Sequence, residues 1–190
     1  MKKVQKVFVF LLPVLLILAA VSAYLLYFTA NGLPAIMEGT SGYGSFDLRF
    51  SYSSDALLTI ISHFKGDRLA AYTNYFTYDF IFAGLRTLFL VFFPLTFNTL
   101  SNKHYLWFRA CMFSAVFSCV FDVLENVILL DIVRTFPGFT GAQASLASGC
   151  TTIKWVFFGL WILTGIVFMI LTLITYHKIS KNTARQVVRT

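Results

Sequence analysis

The chain has 190 residues, 58% of them apolar, and a mean hydropathy of +0.76. Soluble domains sit near about 45–50% apolar, and 22 Phe, 9 Tyr and 3 Trp exceed what one soluble core of this length can hide. Composition therefore excludes an ordinary soluble enzyme and points to an integral membrane protein. The net charge of +7 gathers at the N-terminus (Lys2, Lys3, Lys6), in a middle turn (Lys103, His104, Arg109) and at the C-terminus (Lys178, Lys181, Arg185, Arg189). Those are flanks that the positive-inside rule places in the cytoplasm. No soluble basic module with stacking aromatics accompanies them, so nucleic acid is not an expected partner.

Residues 7–28 form a 22-residue run without a charge, enough for a spanning helix of about 20 residues. The basic start and Val21-Ser22-Ala23 give a signal peptide as the rival reading. Tyr24 to Phe28 continue the apolar run past that point, which favours a retained helix. Residues 29–74 form the large extramembrane segment. Its first half, with Gly32, Pro34, Gly39, Gly42 and Gly44, reads as loop. Ser53-Ser54-Asp55 then caps a short helix with Leu57, Ile60, Ile61 and Phe64 on one face and Gly66 as its stop. An amphipathic helix beside membrane spans is expected at the interface or over the bundle mouth.

Asp67 caps the next helix, whose span is residues 75–97 with Pro94 near its inner end. Ser101-Asn102-Lys103-His104 is a polar turn. The third span is residues 105–133, closed by Arg134-Thr135-Phe136-Pro137-Gly138. Small residues from Gly141 to Gly149 read as loop, holding Cys150, and the fourth span is residues 152–176 before a basic tail, 177–190. Cys111, Cys119 and Cys150 form no CxxC pair and are expected as free thiols. The expected fold is all-α: one polytopic domain, a four-helix transmembrane bundle with a short extracytoplasmic amphipathic helix. Both termini would be cytoplasmic, in a bacterial inner (plasma) membrane.

Ionisable residues interrupt these spans. Asp79 and Arg86 lie in the second, Asp122, Glu125 and Asn126 in the third, and Lys154 at the start of the fourth. A charge at the bilayer centre costs at least about 2.5 kcal/mol on the lenient insertion scales, so such residues pair, face a bundle interior and mark function. At ~1.5 Å rise per residue, Asp79 lies roughly 6 Å deep from the outer end, Glu125 roughly 12 Å, and Arg86 and Asp122 both roughly 16 Å. Arg86 and Asp122 share a level and are the expected ion pair. Lys154 lies near the level of Asp79 and within reach of Glu125. Asp122, Glu125 and Asn126 form one patch at i, i+3 and i+4, which Ser118 and Cys119 extend. Three carboxyls face two cations, so one carboxyl is expected to hold or share a proton. Glu125 is the candidate acid/base, since Asp122 has Arg86. Asp122 joins it as a candidate catalytic group, and Tyr78, Asp79, Arg86, Asn126, Lys154 and Trp155 are the candidate binding residues.

No Gly-rich phosphate loop, HExxH or GxSxG is present. With no His at mid-membrane depth, no haem or catalytic metal is expected. Arg86 and Lys154 would oppose a cation on the three carboxylates, so no cofactor is expected. Tyr78-Asp79 with Arg86, Phe121-Asp122-Val123-Leu124-Glu125-Asn126 and Lys154-Trp155 together resemble a widespread, functionally obscure type of small four-helix bacterial membrane protein. Phe50-Ser51-Tyr52-Ser53 leading into Gly66-Asp67-Arg68 belongs to the same resemblance, which covers most of the chain and implies the four-span fold but no activity. In layout the chain is also faintly similar to the sterol-isomerase-like membrane fold, in which acids, an Asn and a Trp line a cavity among helices. It lacks that fold's extra helix and intramembrane His, and no sterol activity carries over.

Three functions compete. The first is a site that binds, or acts as an enzyme on, a lipid-like molecule, with Arg86 and Lys154 holding its head group. The second is a structural or assembly subunit whose buried charges fix packing, as a homo-oligomer or with a partner membrane subunit. The third is a small proton-coupled transporter, for which no inverted repeat is visible. Membrane lipids are the one partner common to all three.

Overall fold

The computed structural model describes residues 3–187 apart from 47 and 100–102. Lys2, Ser101, Asn102 and Arg189 lie outside the described residues. Among those described, the chain is all-helical: α1 (Lys3–Phe28), α2 (Leu33–Gly39), α3 (Ser54–Ser62), α4 (Arg68–Asn98), α5 (Tyr105–Thr135) and α6 (Gly141–Val187). Three helical stretches, Phe10–Gly39, Arg68–Asn98 and Gly141–Ile179, are long and apolar enough to cross a membrane. The 31-residue α5 is as long as α4 but carries Arg109, Asp122, Glu125, Asp131 and Arg134, and is not among them. The long helices pack in series, α1 on α4, α4 on α5 and α5 on α6, while α1 and α6 do not pack extensively on each other.

Local chemistry explains most boundaries. The Ser53 side chain caps α3 by accepting from the Ala56 N–H, and Leu57, Ile60 and Ile61 are buried on the face read from the sequence. The helix ends at Ser62, four residues before the expected stop at Gly66; the backbone turns at His63, and Phe64 packs half-buried against the core. Gly39 makes that placement possible: a Cβ there would lie 2.2 Å from the Phe64 ring. Asp67 caps α4 through the Ala70 N–H, as its position implied.

Two expectations are corrected. Residues 33–39, read as loop, form α2, with Pro34 in the first turn, where its missing N–H costs no helical bond. Residues 141–151, also read as loop, are the first turns of α6, so Cys150 is helical and buried. A capping box starts them: the Gln143 N–H reaches Thr140 Oγ1 at 3.2 Å and the Thr140 N–H reaches Gln143 Oε1 at 2.8 Å. Ala144, Ala147, Ser148 and Thr151 then share one buried face, and their small size lets the chain approach closely.

Inside α4, Pro94 has no N–H for the Leu90 carbonyl four residues back. The Trp161 indole Nε1 of α6 donates to that carbonyl at 3.0 Å, so a neighbouring helix supplies the bond that proline removes. Residues 50–52 lie against the N-terminal turns of α6. The Tyr52 N–H donates to Ser148 Oγ at 2.9 Å, Thr152 Oγ1 donates to the Phe50 carbonyl at 3.0 Å, and Phe46 is buried beside Tyr72.

Candidate functional site

The helix series brings α4, α5 and α6 together at one level, and their ionisable residues converge there. Arg86 Nη2 meets Asp122 Oδ2 at 2.7 Å, the pair expected from their common depth. Lys154 Nζ bridges Asp122 Oδ1 at 2.8 Å and Glu125 Oε2 at 2.6 Å. Asp79 accepts from the Asn126 amide. Thr151 donates to Glu125 Oε1 at 2.6 Å, and its hydroxyl lies 3.4 Å from that of Tyr52. Ser118 donates to the Lys154 carbonyl at 3.2 Å, tying α5 to α6. Glu125 and Asn126 are fully buried, and Asp79, Asp122 and Lys154 nearly so.

The helical repeat explains the convergence. Asp122, Glu125 and Asn126 rise along one face of α5, as do Ser114 and Ser118 below them, all buried. The opposite face exposes Phe113, Val116, Val120, Val123, Leu124 and Val127. On α6 the same rule groups Thr151, Lys154 and Phe158 at i, i+3 and i+7. The Arg86 guanidinium is held between two aromatic faces, 5.5 Å from the Phe82 ring centre and 5.7 Å from that of Phe158.

A small cavity opens beside the cluster, lined by Tyr27, Leu48, Asp79, Phe82, Arg86, Ser118, Asp122, Lys154, Trp155 and Phe158. The space that water can occupy in it measures about 30 Å³, room for about two waters at 10–15 Å³ each. With its open mouth the empty space is about 330 Å³. Two buried donors on its lining residues, Arg86 Nε and Trp155 Nε1, have no partner, and neither has the buried acceptor Asn126 Oδ1.

Of the residues singled out from sequence, Asp79, Arg86, Asp122, Lys154 and Trp155 line this cavity, while Glu125 and Asn126 stand behind it as partners of Lys154 and Asp79. Tyr78 is half-buried against the apolar core and does not line it. Sequence reasoning missed Thr151, Phe82 and Phe158, although each stands three or four residues from Lys154 or Arg86 on its own helix. It also missed Tyr27 and Leu48, which only tertiary packing brings here. Both oxygens of Asp122 are taken by cations and both of Glu125 by Lys154 and Thr151. These carboxylates are thus engaged with protein donors, which disfavours their use as metal ligands. At full ionisation Asp79, Asp122 and Glu125 outweigh Arg86 and Lys154 by one negative charge.

In comparison with known proteins, the chain matches no protein-family model, no curated protein and no solved structure.

Proposed function

We propose that this is a four-span membrane protein whose buried charge cluster binds the polar group of a lipid-like or amphiphilic molecule, or acts on it. Two features support α5 as the fourth span. Its exposed apolar stripe from Phe113 to Val127 is roughly 21 Å long at ~1.5 Å per residue, and its charged residues at mid-helix are buried against neighbours. In this arrangement α3 lies on the extracytoplasmic side, the cluster sits in the outer half of the bilayer, and both basic termini are cytoplasmic, in a bacterial inner membrane.

One observation carries the ligand reading: two unpartnered donors, Arg86 Nε and Trp155 Nε1, belong to residues that line one cavity among the buried charges. An orphaned buried donor costs about 1–3 kcal/mol, so each such group in a native fold calls for an explanation, and a polar group bound beside it is the one proposed here. Glu125, held by Lys154 and Thr151, is the residue placed for proton transfer if the site is catalytic.

The structural reading rests on a different observation. Asp122 is saturated by two cations, which suffices to lock α4, α5 and α6 in register. The two readings separate in native mass spectrometry of the protein purified in mild detergent. A site for an amphiphile gives the native chain a co-purified adduct that Arg86→Met and Trp155→Phe both lose. Adduct-free native protein, or adducts that persist in both variants, would favour the register device.

A further inference from the structure

We propose that the seam between α4 and α5 seats one acyl chain of a phospholipid from the leaflet on the α3 side, with its phosphate held by Arg134. The inference is independent of the charge cluster and shares with the reading above only that α5 spans the membrane. Two apolar hollows lie along this seam and meet at Phe80, which lines both. The outer one holds about 470 Å³, with Val127, Ile128 and Leu130 of α5 and Leu146 of α6 as its apolar wall. The inner one holds about 490 Å³ and is walled by Ile81, Leu85, Leu88 and Val91 of α4 with Cys119 of α5. At ~1.5 Å per residue, the outer hollow runs roughly 10 Å from Arg134 to Val127, and the inner one roughly 16 Å from Phe80 to Val91. Together they exceed the ~15 Å depth of one leaflet's hydrocarbon, so a whole acyl chain fits along the seam.

Gly84, on the wall of the inner hollow, points to an occupant from outside the chain. It is exposed in the middle of α4, and a Cβ there would meet nothing within 4 Å. Neither a turn nor an internal contact therefore calls for glycine, a residue that weakens a helix relative to alanine. Its neighbours four residues away are Phe80 and Leu88, so the small-xxx-small spacing that lets a second helix backbone approach is absent, and a slender chain suits the gap. The polar end of the seam supplies the complementary charge. Arg134 lines the outer hollow from the last turn of α5, is exposed, and makes no ion pair among the described residues. Asp131, on the same rim, takes the Gln143 amide at 3.0 Å instead of Arg134. An unpaired guanidinium at the membrane interface matches a phosphate through paired N–H···O bonds. The acyl chain then runs from Arg134 past Phe80 into the space beside Gly84.

The test is native mass spectrometry of the full chain in mild detergent, with phosphatidylethanolamine and diacylglycerol of the same two acyl chains as probes. The native chain is expected to retain the phospholipid about tenfold better, the scale of one charge-assisted contact. Arg134→Gln should bring the two lipids to near parity. Gly84→Leu fills the seam where nothing in the fold stands in the way, so it should lower retention of both lipids at an unchanged or raised melting temperature. An adduct lost with Gly84→Leu and kept in Trp155→Phe belongs to the seam and not to the charge cluster. Parity of the two lipids on the native chain would overturn the role of Arg134. Retention unchanged by Gly84→Leu, or an adduct lost with Trp155→Phe alone, would place the lipid elsewhere and overturn the seam. A native dimer that Gly84→Leu converts to monomer would give the seam to a second copy of the chain and overturn the lipid.

Discussion

Asp122 is the residue on which the cluster balances, since among the described residues it is the one that takes both Arg86 and Lys154. Asp122→Asn takes from Arg86 its ion pair and from Lys154 one of its two carboxylate partners, and removing one partner of a buried ion pair costs about 3–5 kcal/mol. Glu125→Gln is milder: an amide oxygen still accepts from Thr151, and Lys154 keeps Asp122. In thermal unfolding at one pH and detergent, Asp122→Asn is expected to melt well below Glu125→Gln, and equal drops would contradict this hierarchy. Thr151→Val tests the same network from α6. It removes a donor to a buried carboxylate, worth about 1.5–3 kcal/mol, and Thr151→Ser should restore most of it. These residues were largely legible in the sequence, because charges in apolar runs stand out and helical spacing sets their level. The reach of Lys154 to Glu125 was legible, but its contact with Asp122 was not. Level along a helix follows from counting, but the face that α6 turns toward α5 depends on packing between them.

At the scale of the helix, Pro94 and Trp161 form a unit. If Trp161 Nε1 serves the carbonyl that Pro94 orphans, Trp161→Phe should cost about 1–3 kcal/mol as an unsatisfied buried acceptor. Pro94→Ala supplies an N–H to Leu90, so the same tryptophan substitution should cost clearly less in that background. A thermal double-mutant cycle reads the difference, and additive losses would show that the indole acts by packing alone. This unit is not legible in the sequence, because the link between a proline and a tryptophan 67 positions later is tertiary. The helix starts show the opposite case. The caps at Ser53 and Asp67 were read correctly, and the same kind of signal stood in Thr140-x-x-Gln143. It was masked by a run of Gly, Ala and Ser, taken as loop because small residues mark turns as well as close helix contacts. The brief α2 was lost similarly, since Pro34 breaks a helix everywhere except its first turn.

Over the whole molecule, membrane character was evident from composition, and three helices are long and apolar enough to cross. α5, whose buried charges nominate the site, is not among them. The topology has a direct check. In a cysteine-free background, Asp55→Cys on α3 should react with a membrane-impermeant thiol reagent on intact cells, and Lys178→Cys only after permeabilisation. The reverse pattern would invert the bundle and put the cluster in the inner half. The claim that matters most is that the cavity exists for a ligand, and its cleanest probe is Trp155→Phe, which deletes an unpartnered donor and no bond. We would measure melting temperatures of native protein and Trp155→Phe in detergent, with and without added membrane lipid. Without lipid the two should agree or the variant should be slightly more stable. Lipid at 100 times its dissociation constant should then stabilise the native chain by about 2.7 kcal/mol and the variant much less. Equal lipid shifts in both, or none in either, would contradict a binding site and leave the buried charges as a device for holding helices in register.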